Sequence, residues 1–517
     1  MVSALLAIVV LCGSCIKNNI PYPRIQVNFR QFVVEGQTRQ AQIDSVNMVL
    51  TAYIGETVDP YDVHVTEYAI TPKAEIVDNP FDAGGVDMSA DMVLTLRLYQ
   101  DYKWVVRAVQ DIRRYFTVEG QIGSPVIDPV GRRVIVQIPQ TADASRLHVL
   151  TAKLGPEGSV ITPDIAGTTV DASLPLKLEV SSFGRTQEWT VYVEKTEAMV
   201  TTVRADGWTR VAWIYGQAQV GAEYGVEYRI KGDSEWKVCP QDWITSEGGD
   251  FRARLTGLLP MTTYEARAIS GGDEGAVMEF TTGQDIQIGN MMLDDWWKDG
   301  KVWCPWTEGG EQVWDTGNKG ATTLGDSNST PTEDTSTGTG QAARLETRFV
   351  GIGPLGKLAA GNIFVGKYVR TDGTNGVLSF GHPFEERPTR LTGYYKYKSA
   401  PISSVTEGYE ALAGRPDTCI VWVALIDSDQ PFEVRTNPRN RQIFDPEGSY
   451  VVAYGKMQTA ESSDAYARFD IELEYKSTDR KPKYLLITAS ASKYGDYFTG
   501  GNGAVLYVDD LQLLYDF

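Results

Sequence analysis

Histidine is scarce in this chain, and its scarcity argues against several kinds of site. The 517 residues contain three histidines, His64, His148 and His382, which lie far apart in the sequence. A metal site or a catalytic triad built on histidine is therefore not expected. No nucleophile elbow, HExxH pair or phosphate-binding loop is present either. Nothing in the sequence thus supports a serine hydrolase, a zinc protease or a nucleotide-dependent enzyme.

Positive charge is also in short supply. Lys and Arg number 48 against 67 Asp and Glu, which leaves a net charge of −19 at pH 7. Nucleic-acid binding requires a basic surface that neutralises phosphates, so nucleic acid is not an expected partner. The acidic excess is typical of a soluble, self-repelling protein that meets neutral or cationic partners.

The chain has no apolar run long enough to span a bilayer as a helix, but it begins with a short one. That run ends in Leu11-Cys12-Gly13-Ser14-Cys15, which resembles a bacterial lipobox. Small residues before Cys15 fit signal cleavage and diacylation of that cysteine. We therefore expect residues 1–15 to be a lipoprotein signal peptide. The mature protein would be an outer-membrane lipoprotein, on the cell surface or the periplasmic face, that meets the membrane through its lipid anchor only.

Three further cysteines remain after such processing, Cys239, Cys304 and Cys419. They can form at most one disulfide, and their spacing matches no metal-binding motif. A buried thiol is the expected state of each. The sequence does not decide whether Cys304 and Cys419 form a disulfide.

Helical periodicity is almost absent beyond residue 25, and short alternating runs take its place. Arg133–Ile138, Leu176–Val180 and Trp189–Val193 alternate apolar and polar residues with a period of two. Many such strands, separated by Gly, Pro, Asn and Asp, predict an all-β protein made of β-sandwiches.

An internal repeat predicts two tandem sandwiches of one kind. An Ile-Thr-Pro segment, a Val-Asp step, a Leu-x-Leu segment and a Trp-x-Val segment occur in the same order twice. We therefore expect immunoglobulin-like sandwiches at 24–116 and 117–197. Trp104 and Trp189 hold equivalent places in the two copies, which favours a core position for both.

Residues 198–283 resemble a fibronectin type III domain. Val211-Ala-Trp213 is similar to the segment with the buried tryptophan of an early strand. Leu258, Pro260 and Tyr264 match a tyrosine corner, in which the phenol bonds to the backbone. The resemblance implies a spacing module and carries no chemistry.

Tryptophan is concentrated at the start of the last block, 290–517. Five of the twelve tryptophans lie within nineteen residues: Trp296, Trp297, Trp303, Trp306 and Trp314. Indole faces stack on the apolar faces of sugar rings, so the segment is either a dense corner of a core or a saccharide platform. Neighbouring strand residues point to opposite faces, and one of Trp296 and Trp297 is therefore expected to point outward. The polar segment 318–341 that follows is typical of a long loop.

The last block resembles a family of Bacteroidetes proteins known as the putative carbohydrate metabolism domain. The resemblance is carried by Val313–Asn318, by Ala359–Lys367 and by Leu391–Tyr397. Its end, with Asp509 and Asp510 in an alternating strand, is similar to the closing strand of galactose-binding-type jelly rolls. The resemblance implies a C-terminal jelly roll behind immunoglobulin-like domains and an involvement with glycans. It transfers no catalytic residue.

A binding role and an enzymatic role predict different sites in this block. A binder needs aromatic platforms and a few amides, and the candidates for ligand contact are Trp297, Trp303, Trp306, Asn362, Tyr394 and Tyr395. A glycoside hydrolase needs two carboxylates, about 5–5.5 Å or about 6.5–9.5 Å apart. The candidates for that pair are Asp294, Asp295, Glu308, Asp315, Glu385, Glu386 and Asp417. No cofactor is expected. Asp509 and Asp510 either form a solvated strand end or hold a structural calcium ion.

The favoured interpretation is an envelope-anchored lipoprotein that binds a poly- or oligosaccharide through the jelly roll at 290–517. The preceding sandwiches would form a stalk, and the protein could belong to an envelope protein complex. Two alternatives remain. One is a glycoside hydrolase acting on polysaccharide, and the other is an adhesive or structural surface protein that binds no glycan.

Overall fold

The computed structural model of the chain describes residues 27–45, 47–351 and 356–515. The signal peptide and Cys15 lie outside these residues, so their prediction stays untested. The described residues are almost entirely β-strand, which confirms the all-β fold class, and their single α-helix, α1, spans Asn318–Ala321. None of the helices in this part of the chain is long and apolar enough to cross a membrane. The chain divides into two compact units, Met1–Ile112 and Arg113–Phe517.

The first unit has its own apolar core between a two-stranded sheet, ordered β1-β4, and a five-stranded sheet, ordered β2-β3-β7-β6-β5. At its centre Trp104 is fully buried and donates its indole N–H to the carbonyl of Val27, 3.0 Å away. The strands of the unit are β1 (Phe29–Val34), β2 (Gln37–Asp44), β3 (Val49–Ile54), β4 (Val65–Ile70), β5 (Glu75–Val77), β6 (Met92–Arg97) and β7 (Asp101–Gln110).

The second unit begins with a sandwich whose sheets are ordered β12-β14-β15-β10-β9 and β13-β11-β8. Trp189 fills its core with 2% of its surface exposed. The strands are β8 (Tyr115–Val118), β9 (Val126–Asp128), β10 (Arg133–Pro139), β11 (Leu147–Lys153), β12 (Val160–Thr162), β13 (Thr169–Val170), β14 (Leu176–Ser182) and β15 (Arg185–Thr196).

The two tryptophans lie in the same kind of strand pairing. β7 runs parallel to β3 and antiparallel to β6, where Trp104 lies opposite Leu94. β15 likewise runs parallel to β10 and antiparallel to β14, where Trp189 lies opposite Leu178. The core position predicted for both tryptophans is confirmed, and it follows from their equivalent places in a repeated pairing pattern.

The next sandwich packs the sheet β16-β17-β21-β20 against the sheet β19-β18-β22-β23, with β24 added to β22. The hydroxyl of Tyr264 accepts a hydrogen bond from the backbone N–H of Leu259 (2.9 Å), so the predicted phenol-to-backbone bond is present. The strands are β16 (Val200–Gly207), β17 (Ala212–Ala218), β18 (Gly225–Ile230), β19 (Lys237–Val238), β20 (Ile244–Glu247), β21 (Asp250–Leu255), β22 (Thr263–Ser270), β23 (Asp273–Glu274) and β24 (Met278–Thr281).

The prediction that Trp213 is a buried core residue is wrong. In β17 the inward positions are Ala212 and Ile214, so the alternation of the strand turns Trp213 to the opposite face. There it is half-buried, with its ring 5.8 Å from that of Trp208 and the guanidinium of Arg252 4.8 Å from its centroid.

The last domain is a larger two-sheet sandwich, in agreement with the predicted jelly-roll architecture. A nine-stranded sheet has the order β37-β33-β32-β41-β36-β38-β40, with β27 paired to β32 and β34 to β41. A five-stranded sheet, ordered β28-β29-β42-β35-β39, faces it across an apolar core. The strands that begin the domain, as far as β33, are β25 (Trp297–Asp299), β26 (Val302–Cys304), β27 (Trp314–Thr316), β28 (Ser329–Thr332), β29 (Ala342–Glu346), β30 (Arg348–Val350), β31 (Lys357–Ala359), β32 (Asn362–Asp372) and β33 (Asn375–Phe380).

The remaining strands complete both sheets. They are β34 (His382–Pro383), β35 (Arg390–Lys398), β36 (Cys419–Ile426), β37 (Phe432–Arg435), β38 (Val451–Thr459), β39 (Ala467–Glu472), β40 (Glu474–Tyr475), β41 (Tyr484–Ser490) and β42 (Val505–Leu514). Short 3₁₀ turns connect strands throughout the described chain, at Pro80–Ala83, Ala144–Arg146, Gln241–Trp243, Glu410–Leu412 and Gly495–Tyr497.

Both faces of the nine-stranded sheet are apolar. In β36, Val421 and Val423 point into the sandwich core, whereas Trp422 and Ala424 belong to a second cluster on the outer face. Strands covered on both faces carry continuous apolar runs, and β36 (CIVWVALI) is such a run. The outer face of this sheet therefore carries an apolar layer of its own.

The segment 318–341 is more regular than the long loop that its composition predicts. Ser329–Thr332 forms β28, an edge strand paired with β29. The fully buried amide of Asn318 donates to the carbonyls of Trp303 (2.8 Å) and Ser329 (2.7 Å) and accepts the N–H groups of Asn328 and Ser329. The Asn318 side chain thus provides these backbone groups with the hydrogen bonds that a neighbouring strand would otherwise supply.

A buried joint connects the sandwich of β16–β24 to the last domain. The indole N–H of Trp208 donates to the carbonyl of Thr478 (3.0 Å), and its ring lies 4.2 Å from that of Tyr475. The guanidinium of Arg387, 7% exposed, donates across the joint to the carbonyl of Gly207 (3.4 Å). Within the last domain it also donates to the carbonyls of Asp479 (3.0 Å) and Arg480 (2.8 Å).

Candidate functional site

A cavity of about 440 Å³ opens on the outer face of the nine-stranded sheet. Its floor consists of side chains from β32, β33, β36 and β41, and its walls are the segments 320–324, 357–360 and 493–498. Cavities of roughly 300–1,000 Å³ are the usual size of small-molecule sites. The apolar layer of the outer face and the walls around it therefore form a ligand-sized concave surface.

Stacked aromatic rings cover one side of the cavity. Phe444, from the loop between β37 and β38, stacks on Trp422 with ring centroids 4.9 Å apart and an interplanar angle of 11°. Tyr454 continues the stack, 6.3 Å from Phe444. All three rings are half-buried, and burial raises the pKa of Tyr454 to about 12. The stack offers a broad apolar surface with polar atoms at its edge, as sugar rings require.

The opposite wall is a short aromatic loop with a strained backbone. Phe498 has φ = 54°, a left-handed conformation that is unfavourable for a bulky side chain. Gly495 lets this loop approach the neighbouring wall, since a Cβ there would lie 2.4 Å from that of Ala360. The rings of Tyr494 and Tyr497 lie 5.2 and 5.0 Å from that of Tyr409, which supports the loop from behind.

The charged groups of the cavity are two lysines and one aspartate. Lys357 donates to the side-chain oxygen of Asn375 (2.9 Å), and its ammonium lies 4.3 Å from the centroid of Phe498. Burial lowers the pKa of Lys357, and the nearby charge of Arg441 lowers it further. Lys493 is the second cation, and Asp496 is the one carboxylate among the described lining residues. Burial raises the pKa of Asp496.

Of the six predicted ligand-contact residues, Asn362 lines the cavity and the other five do not. The side-chain oxygen of Asn362 accepts the N–H of Gly317 (2.8 Å) and so fixes the start of α1 at the cavity edge. Tyr394 is exposed on β35 of the five-stranded sheet, and Tyr395 is half-buried against the sandwich core.

The tryptophan segment forms a separate small surface. Trp297 lies opposite Cys304 and Trp303 opposite Lys298 in the hairpin of β25 and β26, so the two indoles project from opposite faces. Trp297 contacts Trp306 edge to face, with centroids 6.3 Å apart. These three rings are half-buried and do not form one continuous platform.

The other two tryptophans of the segment belong to the core. Trp314 is 1% exposed and donates to the carbonyl of Gly289 (2.9 Å). Trp296 packs against the same core, where its indole donates to the carbonyl of Leu293 (2.7 Å). The concentration of tryptophans therefore combines a core corner with a partly exposed hairpin.

The acidic pair of the last strand fixes a loop. A carboxylate oxygen of Asp509 accepts the backbone N–H of Ser336 (2.6 Å), and one of Asp510 accepts its hydroxyl (3.0 Å). Calcium takes six to eight oxygen ligands. Within the described ranges no group of three or more His, Cys, Asp or Glu side chains is arranged to hold a metal ion. A calcium ion at this pair stays an untested prediction, and we derive no role from it.

Two of the carboxylates considered for hydrolysis have structural roles. Asp315, buried, accepts the N–H of Tyr368 (2.8 Å) and pairs with Lys319 (3.0 Å). Asp417, also buried, accepts the hydroxyl of Ser492 (2.5 Å) and the N–H of Gly501 (2.6 Å). Neither faces the cavity, because their oxygens hold neighbouring backbone and side chains in place.

The three cysteines are unbridged and buried. Burial raises the pKa of Cys239 and of Cys304 to about 11 and that of Cys419 to about 12. The expectation of buried thiols is confirmed, and a bridge between Cys304 and Cys419 is absent.

Sequence reasoning missed the rings that build the cavity, chiefly Trp422, Phe444 and Tyr494. One signal could have found part of the site. β36 (CIVWVALI) and β41 (YLLITAS) are continuous apolar runs, and such runs indicate strands covered on both faces. An outer layer on this sheet was therefore predictable, although the loops that complete the cavity were not.

Comparison with protein families finds a match for the last domain. Residues 292–514 match the family model described as the putative carbohydrate metabolism domain. The matched region holds both sheets of the last sandwich and the whole lining of the cavity. A search of curated proteins finds no match.

Several solved structures are similar at low identity. A putative glycoside hydrolase from Bacteroides thetaiotaomicron is 19% identical over 78% of this chain and 96% of its own, with a TM-score of 0.32. One from Bacteroides vulgatus is 23% identical over 43% of this chain and 94% of its own, with a TM-score of 0.33. A surface glycan-binding protein from Prevotella bryantii is 10% identical over 69% and 88% respectively, with a TM-score of 0.16. At these TM-scores the similarity supports no conclusion about function.

Proposed function

We propose that the last domain binds glycans, with the cavity on the outer face of its nine-stranded sheet as the binding site. The observation that carries the proposal is the half-buried stack of Trp422 and Phe444 at the side of a 440 Å³ cavity. It lies in a domain that matches a carbohydrate-related family model. Sugar rings would stack on these aromatic faces, while amides and hydroxyls of the walls orient the sugar hydroxyl groups.

The rest of the chain suits presentation of this site at the cell envelope. The lipobox-like segment supports an outer-membrane lipoprotein, and the three preceding sandwiches would hold the binding domain away from the anchor. A polysaccharide or oligosaccharide is the proposed partner, and an envelope protein complex is a further proposal. The membrane face stays open.

Glycoside hydrolysis is the second candidate, because Asp496 has the raised pKa that a general acid requires. The mechanism needs a second carboxylate about 5–9.5 Å away. The described lining residues include no other carboxylate, so binding is the better-supported function. Asp496→Asn separates the two functions, since a hydrolase would lose release of reducing sugar and a binder would have no turnover to lose.

The test is a glycan array followed by calorimetry on a soluble chain that begins at residue 24. Phe444→Leu removes one ring of the stack while keeping apolar volume, and Trp422→Ala removes the other. We expect each to weaken binding at least about 10-fold, equivalent to about 1.4 kcal/mol. The matched control is Trp297→Ala with Trp306→Ala, which removes two rings of the hairpin and should change affinity less than about 2-fold.

Thermal unfolding of each variant checks that the fold survives. Loss of binding in the hairpin variant, with binding retained in Phe444→Leu, would move the site to the tryptophan segment. Binding to no glycan would favour the adhesive or structural alternative for the whole protein.

A further inference from the structure

We infer that the saccharide held in the cavity carries an anionic group, a carboxylate or a sulfate ester, and that Lys357 and Lys493 receive it. This inference rests on the proposed binding site and specifies its ligand class. It runs against the net charge of the chain, which by itself favours neutral or cationic partners.

The first argument is that Lys357 has no counter-ion. The residue is half-buried, and its ammonium uses one N–H on Asn375 and lies over the ring of Phe498. Within the described ranges it takes part in no ion pair. An ammonium out of water without a compensating charge is costly, and a ligand anion would supply that charge. Two N–H groups of Lys357 remain for such a ligand.

Several other cations of the same domain pair with a carboxylate, whereas the buried Arg387 donates to backbone carbonyls. Lys319 bonds to Asp315 (3.0 Å), Arg390 to Asp470 (2.9 Å), and Arg480 to Asp427 (2.7 Å). The chain has 67 acidic residues to place beside 48 basic ones, so pairing is the ordinary outcome. Among the described residues, the ammonium of Lys357 instead has a single hydrogen-bond acceptor, the side-chain oxygen of Asn375.

The second argument is that the charges around Lys357 add to its field. Lys493 lines the same cavity, with its ammonium 5.2 Å from the centroid of Tyr494 and no ion-pair partner among the described residues. Behind the wall, the guanidinium of Arg441 lies 4.7 Å from the centroid of Tyr497, and its charge lowers the pKa of Lys357. Among the described lining residues, Asp496 is the one group of opposite charge. A concave apolar surface focuses such a field on a bound anion.

A neutral sugar offers hydroxyl acceptors to these ammonium groups but no counter-charge. A carboxylate or sulfate would bring the missing counter-charge to Lys357 and form charge-assisted hydrogen bonds, which are stronger than neutral ones. The aromatic stack would hold the apolar face of the same sugar.

The experiment uses pairs of oligosaccharides with the same sugar backbone, one member with the anionic group and the other without it. One pair is an oligogalacturonate and its fully methyl-esterified form. The other is a sulfated galactan oligosaccharide and its desulfated counterpart. Calorimetry on the chain from residue 24 should show at least about 10-fold tighter binding of the charged member in one pair. The pair that responds distinguishes a carboxylate from a sulfate ligand.

Variants then assign the effect to the cavity. Lys357→Gln and Lys493→Gln should each weaken binding of the charged probe at least about 5-fold, and Lys357→Arg should restore most of it. The matched control is Lys367→Gln, because Lys367 is an exposed cation of the same strand as Asn362 and lies outside the cavity lining. It should leave the affinity unchanged.

Two results would overturn the inference while leaving the proposed function intact. One is equal binding of charged and neutral probes that Phe444→Leu abolishes but Lys357→Gln does not. The other is preference for the charged probe that survives both lysine variants, which would assign the anion to another cation. Charged-probe binding insensitive to Phe444→Leu and Trp422→Ala would instead defeat the proposed function, because the cavity would then not be the site.

Discussion

Trp422 and Phe444 form a face-to-face pair, with centroids 4.9 Å apart and ring planes inclined by 11°. They come from different elements, since Trp422 stands on β36 and Phe444 on the loop after β37. Their stacking converts the outer face of a sheet into one side of a cavity. The pair is the structural reason for assigning ligand binding to this face of the domain.

Removal of the buried amide at position 318 should destabilise the last domain. Asn318→Ala leaves two carbonyls and two N–H groups without partners in a site that excludes water. Each orphaned group costs about 1–3 kcal/mol, so we expect the free energy of unfolding to fall by at least about 3 kcal/mol. Urea denaturation measures it. Gln458→Ala, an exposed position on β38, should change it by less than about 0.5 kcal/mol.

The three thiols should be inert in the folded protein. Burial raises the pKa of Cys239 and Cys304 to about 11 and of Cys419 to about 12, so almost no thiolate is present at pH 8. A disulfide reagent added to the chain from residue 24 should find no reactive thiol until urea is added, and then three. A thiol that reacts rapidly in the native state would contradict the buried placement of that residue.

Binding of the anionic probe should weaken with rising pH earlier than an exposed lysine would require. Burial and the charge of Arg441 lower the pKa of Lys357 from its ordinary 10.5, so its positive charge is lost at lower pH. The other charged groups at the cavity are Lys493 and Asp496. Affinity for the charged probe should be full at neutral pH. As the pH rises, the affinity should begin to decrease before pH 10.5 is reached, and calorimetry at several pH values can show this. In Lys357→Arg this early loss should disappear, because arginine stays protonated.

The joint between the last two sandwiches should depend on Arg387. Arg387→Met removes the donor to the carbonyl of Gly207 across the joint. It also leaves the carbonyls of Asp479 and Arg480, in the last domain, without their donor, and we expect a loss of about 2–4 kcal/mol in the free energy of unfolding. Hydrogen exchange should quicken at residues 205–209 and 475–481 and stay unchanged around the cavity. Arg370→Met, an exposed position on β32, is the control and should alter neither quantity. Unchanged exchange at the joint would show that Arg387 does not hold it.

Local pattern was sufficient to predict strands and core tryptophans. Alternation with a period of two follows from the pleat itself, and Trp104 and Trp189 were identified by their equivalent places in a repeat. The resemblance to a fibronectin domain misplaces Trp213 in the core, whereas the alternation of β17 places it on the opposite face. Strand Ser329–Thr332 escaped prediction since its polar residues pair at a sheet edge without any apolar pattern.

The cavity could not be predicted from local sequence patterns, and the reason is physical. Its rings and charges come from four segments separated by long stretches of chain, represented by Lys357, Trp422, Phe444 and Tyr494. Sequence proximity instead pointed to the tryptophan segment, where indoles are close along the chain but diverge across a hairpin. Of the predicted contact residues, Asn362 lines the cavity because it begins a strand that crosses the floor.

The buried joint at Arg387 and Trp208 also determines how the protein would carry load. The hydrogen bonds from Trp208 to the carbonyl of Thr478 and from Arg387 to the carbonyl of Gly207 cross between the sandwich of β16–β24 and the domain with the cavity. If the cavity binds a polymer as proposed, tension on that polymer would reach the sandwich of β16–β24 through these two bonds.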